Sequence, residues 1–230
     1  MHEEGFLLNE VRRDAVLLVE GIDDARFFEA FLRWLGKTDD VQIAQVRGKP
    51  NFGPFLKGTL KLARDFSRLH RLGLIRDADE SASSAFESLC GALTGAKLPA
   101  PDQAWEIKQE GELHVSVAIL PDRDSRWNLE ELCLRSLEKD ELSCIDEYVD
   151  CVTRMGPSIA DHRLSKAKLY TYLAAGPIPK KGDEQDGEFL ERENPGLRVG
   201  EAADAGVWDW DSPAFTRIRE WLCKLAGEGC

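Results

Sequence analysis

Five consecutive apolar residues, Ala15 to Val19, run into Glu20-Gly21, and after them Phe27, Phe28, Phe31, Leu32 and Leu35 recur at helical spacing. The unbroken run is the pattern of a strand covered on both faces, as in a parallel sheet. The second pattern predicts a helix from Asp23 to Leu35, with Gly36 as its stop. The same alternation then repeats. Val41 to Val46 predicts a second strand, and the turn-forming stretch Gly48 to Pro54 leads into a helix from about Phe55 to His70. Leu72 to Arg76 predicts a third strand, followed by a Ser/Ala-rich helix reaching Leu93. Ala104 to Leu120 predicts two strands turning at Glu110-Gly111-Glu112, and Asn128 caps a helix that begins at Leu129. Strands alternating with helices predict an α/β fold: a mostly parallel sheet flanked by helices.

Past Glu138 the pattern becomes purely helical, over Glu141 to Met155, Ser165 to Ala175 and Pro213 to Ala226, the last capped by Ser212. Gly176 to Gly196, rich in Gly, Pro and acids, reads as a surface loop. The expected organisation is therefore an α/β domain over 1–140 with a helical extension, 141–230, packed on it. With 230 residues, 43% apolar and 31% charged, the chain suits one large globular unit or one with a small appendage. No stretch is apolar enough to span a bilayer, and Met1 to Gly5 lacks the basic start of a secretory signal, so a cytoplasmic location is expected. Six scattered cysteines show no ligand spacing and predict reduced, mostly buried thiols.

Chemistry enters where the strands stop. Glu20 follows the first strand, Asp77 and Asp79 the third, and Asp122 the last. In an open parallel sheet ligands bind outside the carboxyl ends of the strands, so these acids converge on one edge. Asp24, four residues after Glu20, adds a carboxylate if the helix starts near Gly21, while Asp23 serves equally as a helix cap. One acid after a strand reads as a cap. Three clusters at three strand ends repel one another at a cost unless they are solvated or a cation offsets them, and oxygen-only donors suit Mg2+ or Mn2+ rather than zinc.

The segments Leu17-Leu18-Val19-Glu20-Gly21-Ile22-Asp23-Asp24 and Arg76-Asp77-Ala78-Asp79 resemble the Toprim pattern of topoisomerases, primases and OLD-type nucleases, over roughly residues 12 to 140. Ile119-Leu120-Pro121-Asp122, Leu129-Glu130-Glu131-Leu132 and Ser165-Lys166-Ala167-Lys168-Leu169-Tyr170 are similar to a group of small bacterial proteins with Toprim-like cores. The resemblance implies that Glu20 acts as acid/base or metal ligand and that Asp77 and Asp79 hold the metal. Asp24 matches the second acid of the OLD-type version, and Asp122, Asp124 or Glu130 would support a second metal. Two metals clamp the attacking and leaving oxygens of an in-line displacement at phosphorus. The tyrosines, Tyr148, Tyr170 and Tyr172, all lie in the extension without topoisomerase-like context, so hydrolysis is preferred to transesterification. Lys166 or Lys168 would neutralise developing charge if the extension folds over the site; the alternative is a pair of solvated lysines.

The formal net charge of −12 excludes binding nucleic acid by bulk electrostatics. One region reverses the sign: Arg47, Lys49, Lys57, Lys61, Arg64, Arg68, Arg71 and Arg76 face only Asp65 among acids. On the helix predicted there, Lys57, Lys61, Arg64, Arg68 and Arg71 form a stripe suited to a DNA or RNA backbone, with Phe55, Leu62, Phe66 and Leu69 facing inward. A merely solvated helix face fits the same pattern. Trp208 and Trp210 alternate with Asp209 and Asp211, which favours packing or a protein contact over base stacking. The expected function is metal-dependent hydrolysis of nucleic acid. The alternatives are an effector or scaffold subunit that works only with a partner such as an ABC-type ATPase, or a phosphatase of the haloacid dehalogenase type, whose DxD motif Asp77-Ala78-Asp79 also resembles. A homo-oligomer is compatible with each.

Overall fold

A computed structural model of the chain describes residues 6–121, 128–137, 139–156, 159–175 and 196–227. Five strands form one sheet in the order β2-β1-β3-β5-β4: β1 (Ala15–Val19), β2 (Val41–Gln45), β3 (Arg71–Asp77), β4 (Ile107–Glu110) and β5 (Leu113–Leu120). β1, β2, β3 and β5 are parallel, with Ala15 opposite both Val41 and Arg71, and β4 closes the edge antiparallel to β5 through the expected hairpin.

Every residue of β1 is buried, as its unbroken apolar run requires. Ala15, Leu17 and Val19 join one hydrophobic cluster, and Val16 and Leu18 another on the opposite face. The first cluster packs under α1 (Ile22–Trp34), α4 (Leu129–Leu134), α5 (Lys139–Met155), α6 (Asp161–Ala175), α7 (Val199–Asp204) and α8 (Thr216–Ala226). The second lies beneath α2 (Phe52–Pro54), the segment after it, and α3 (Ala82–Gly95). The first is aromatic: Phe27, Phe31, Trp210 and Phe215 pack together, Trp210 stacking on Phe31 with ring centroids 4.7 Å apart. Trp208 and Trp210 are thus core residues. α8 crosses β3 at Gly73, where a Cβ would come within 2.7 Å of Leu225, and Trp221 Nε1 donates to the buried Ser116 Oγ at 2.7 Å.

The helix expected from Phe55 to His70 does not form as one element. A π-helical turn covers Phe55–Leu60, a 3-10 turn Phe66–Arg68, and Leu62 is 82% exposed instead of facing inward. The cause is long-range. Arg64 donates its N–H to Asn9 O (3.1 Å) and accepts from Val11 N (2.8 Å), so its backbone groups leave the helical ladder, and Asp65 turns left-handed at φ 56°. Arg71 belongs to β3, and the basic residues do not share one helix face. α7 has no counterpart in the sequence pattern. Gly200 sits within it because a Cβ there would meet Asp23 O of α1 at 2.6 Å.

Cys90, Cys133, Cys144 and Cys151 are free thiols, but Cys144 and Cys151 are exposed and Cys223 is disulfide-bonded, which corrects the expectation of reduced, mostly buried cysteines. The loop expected over 176–196 lies, but for Gly196, outside the described residues. No helix among them is long and apolar enough to cross a membrane.

Candidate metal centre

Because β1, β2, β3 and β5 run in parallel, their carboxyl ends reach the same edge. Gly48 N, in the turn after β2, donates to Glu20 O at 2.9 Å, and Ala78 N, after β3, donates to Leu120 O at 3.0 Å. These bonds tie the acidic turns to their neighbouring strands. Asp24 stands in the first turn of α1 and its Oδ2 accepts from Gly21 N at 3.0 Å, so Asp24 caps the helix while Asp23 pairs with Arg198 (3.2 Å). Asp77 Oδ1 accepts from Leu129 N at 2.9 Å, where α4 begins, and Glu130, 6% exposed, follows in the same turn. Asn128 caps α4 as expected, accepting from Glu131 N at 3.2 Å.

The charges of these acids reveal their closeness. Burial raises the Glu20 pKa; Lys49, Arg76 and Lys166 oppose the rise and Asp79 adds to it. Asp24 is pushed up to about 7 by burial, then by Glu20 and Glu130, against the Gly21 N–H that favours its anion. Asp77 is held well above the carboxylate range by burial first and then by Asp24, Glu130, Glu20 and Asp79. Asp77 feels all four of the others, Asp24 feels Glu20 and Glu130, and Glu20 feels Asp79, which makes Glu20, Asp24, Asp77, Asp79 and Glu130 one electrostatic group. Glu130 is the member of the later acidic cluster that the structure places there; Asp122 and Asp124 lie outside the described residues.

Cations stand among them. Lys49 Nζ donates to both carboxylate oxygens of Asp79, and Arg76 Nη2 approaches the same carboxylate at 3.5 Å. Lys166 on α6 pairs with Glu130 at 3.1 Å, so the helical extension does reach over the acids. Burial would lower the Lys166 pKa, but Glu130, through charge and hydrogen bond, together with Tyr170 and Asp77 outweighs this and raises it. Lys168 instead pairs with Asp146 on α5 at 2.7 Å. Lys49 and Arg76 enter the site unforeseen. Their signal was position rather than sign, since one follows a strand and the other stands one residue before a strand's end at the carboxyl edge.

The basic run is dispersed. Arg64 pairs with Glu10 at 3.6 Å, and Arg71 donates to Leu225 O (2.8 Å) and Ala226 O (3.2 Å). Arg71 and Asp77 lie at opposite ends of β3, about 20 Å apart at the usual strand rise. Lys57 and Arg68 are exposed and Lys61 half-buried.

Glu20 Oε2, like Arg76 Nε at the same site, is one of several buried polar atoms with no hydrogen-bond partner among the described residues. Beside it an open cleft of about 490 Å³ is lined by Glu20, Gly21, Ile22, Asp24, Gln45, Arg47 and Gly48. The all-oxygen donor set fits a hard divalent cation. Among the described residues, however, no three His, Cys, Asp or Glu side chains are already gathered around one metal position.

No curated protein matches this chain. One solved structure, the C-terminal region of the OLD protein of Xanthomonas campestris pv. campestris, aligns with 94% of this chain and 97% of its own at 14% identity and a TM-score of 0.48. A family model described as a protein of unknown function (DUF3226) matches residues 14–227, nearly the whole chain, and the chain belongs to that family.

Proposed function

We propose that this chain is a Mg2+- or Mn2+-dependent phosphodiesterase that hydrolyses nucleic acid at a Toprim-like acidic site. The carrying observation is the group Glu20, Asp24, Asp77, Asp79 and Glu130, drawn from two strand ends and two helix starts, in which burial and then neighbouring carboxylates raise the pKa values of Glu20, Asp24 and Asp77 around an unpartnered carboxylate oxygen. Lys49, Arg76 and Lys166 offset part of this charge, and a bound divalent cation would offset more. These five acids, with Asp122, would hold the metal. A bound divalent ion activates water and offsets charge on a phosphoryl group.

Glu20 has the raised pKa and the free oxygen that a proton carrier needs. Lys166, held by Glu130 at the edge of the group, supplies positive charge for a phosphate oxygen. Lys57 and Arg68, both exposed, are available to backbone phosphates farther along the strand.

The test uses the purified chain with supercoiled plasmid and single-stranded RNA, in Mg2+ and in Mn2+. Cleavage is expected, and its loss in Glu20→Ala and Asp77→Ala. Cleavage that persists unchanged in both variants refutes the assignment.

A second reading draws on the absence of three ready-gathered ligands among the described residues. In it, the acids close around metal only when a partner such as an ABC-type ATPase docks, and the chain alone is inert. Metal-dependent activity of the isolated chain removes this reading.

A further inference from the structure

We infer that Lys49 is a hand-over residue: it occupies Asp79 while the site is metal-free and moves to a substrate phosphate once a divalent cation takes Asp79. The inference rests on the reading of the acids as a metal site and names the group that couples metal loading to substrate binding.

The Lys49 backbone is fixed at the site. It follows Arg47 (φ 63°) and Gly48 (φ 111°) in a turn tied to Glu20 O by Gly48 N and braced by Asn51 Nδ2 on Arg47 O at 2.6 Å. From this turn the side chain crosses to a residue 30 positions later and engages both oxygens of Asp79. An ammonium seated between the two oxygens takes the side of Asp79 on which a metal would be chelated, and leaves only the outer lone pairs. If Asp79 chelates a cation, Lys49 must leave.

The pair is built to separate. Lys49 and Asp79 side chains are 35% and 39% exposed, so water replaces each partner at small cost. Arg76, the other cation on Asp79, is 11% exposed and stays in place. A doubly charged ion outcompetes a single ammonium for a carboxylate already pressed by Glu20 and Asp77. The freed ammonium remains tethered at the lip of the cleft, beside the exposed Arg47, on a four-carbon stem. Freed of its carboxylate partner, it would be available to a phosphodiester oxygen. The order of events follows: metal first, nucleic acid second.

The test separates pair release from general charge removal. Mn2+ uptake is measured by calorimetry for the wild type, Lys49→Met, Lys49→Gln and Arg47→Met. Arg47→Met removes the same charge from the same turn at a residue in no ion pair among the described residues. Both Lys49 variants are expected to bind Mn2+ about fivefold more tightly than wild type, with Arg47→Met changed by about twofold at most. In Ca2+, used as a non-cleaving ion, affinity for a labelled oligonucleotide is expected to fall in the Lys49 variants. The slope of log affinity against log salt should shrink by about one there. Lys49 variants that bind Mn2+ no better than Arg47→Met, or that keep full oligonucleotide affinity, overturn the inference while leaving the metal site intact. A wild type that takes up no Mn2+ removes the site reading and this inference together.

Discussion

The two ends of β3 carry opposite charges and treat them in opposite ways. At its start, Arg71 donates to Leu225 O and Ala226 O, the last carbonyls of α8, where the helix dipole is negative. Charge, hydrogen bonds and dipole agree. At its finish, Asp77 accepts from Leu129 N at the start of α4, again a favourable helix end. There the agreement stops, because burial raises its pKa and Asp24, Glu130, Glu20 and Asp79 add to the rise. One end of the strand is satisfied within the fold, while at the other burial and like charge work against the ionised acid. Stability is given up where function is expected to reside.

Asp77→Asn should sharpen this contrast most. The amide keeps an oxygen for Leu129 N and removes a mutually repelling proton site. Metal-dependent cleavage is expected to fall by about 100-fold or more, the scale of losing a group that stabilises transition-state charge. The melting temperature in EDTA is expected to rise instead of fall. A lower melting temperature in EDTA would show that the acids are not in net conflict. The second effect belongs to the other end. Arg71→Met should lose about 1.5–3 kcal/mol of stability in urea titrations, the range for hydrogen bonds involving a charged group. A neutral outcome would break the comparison, since the start of β3 would then be no better anchored than its finish.

Much of this was legible in the sequence because local and global signals agreed. The apolar run at Ala15 to Val19, the helical spacing from Phe27 to Leu35 and the turn at Gly111 each fit only one role in an α/β sheet, and parallel topology then fixed where Glu20, Asp77 and Asp79 had to stand. Legibility failed where a distant segment decided. The apolar spacing after Phe55 is helical, but Asn9 and Val11 take the backbone of Arg64 from across the chain. Gly200 argues against a helix until α1 is seen pressing on it. Lys49 and Arg76 were submerged in a basic run whose sign was plain, whereas their partner, Asp79, depended on which turn lay beside which.

The smallest effect of the three is expected from pH, and its sign distinguishes the two ends again. Asp24 has an ordinary pKa of 3.8 that the fold raises to about 7, so the folded state holds a proton the unfolded chain has released. Stability from this group is therefore fully present below about pH 4 and is lost as pH rises toward 7. Glu20 and Asp77 are raised as well and act in the same direction. At the start of the strand Arg71 bonds to uncharged carbonyls rather than to another ionisable group. Urea midpoints measured in EDTA should thus decline between pH 5 and 7.5. Saturating Mg2+ should flatten or reverse the decline, because the ion takes the place of the bound protons and favours the ionised acids. A rising midpoint in EDTA would mean that Lys49, Arg76 and Lys166 already neutralise the acids, leaving the carboxyl end of β3 as well satisfied as its start.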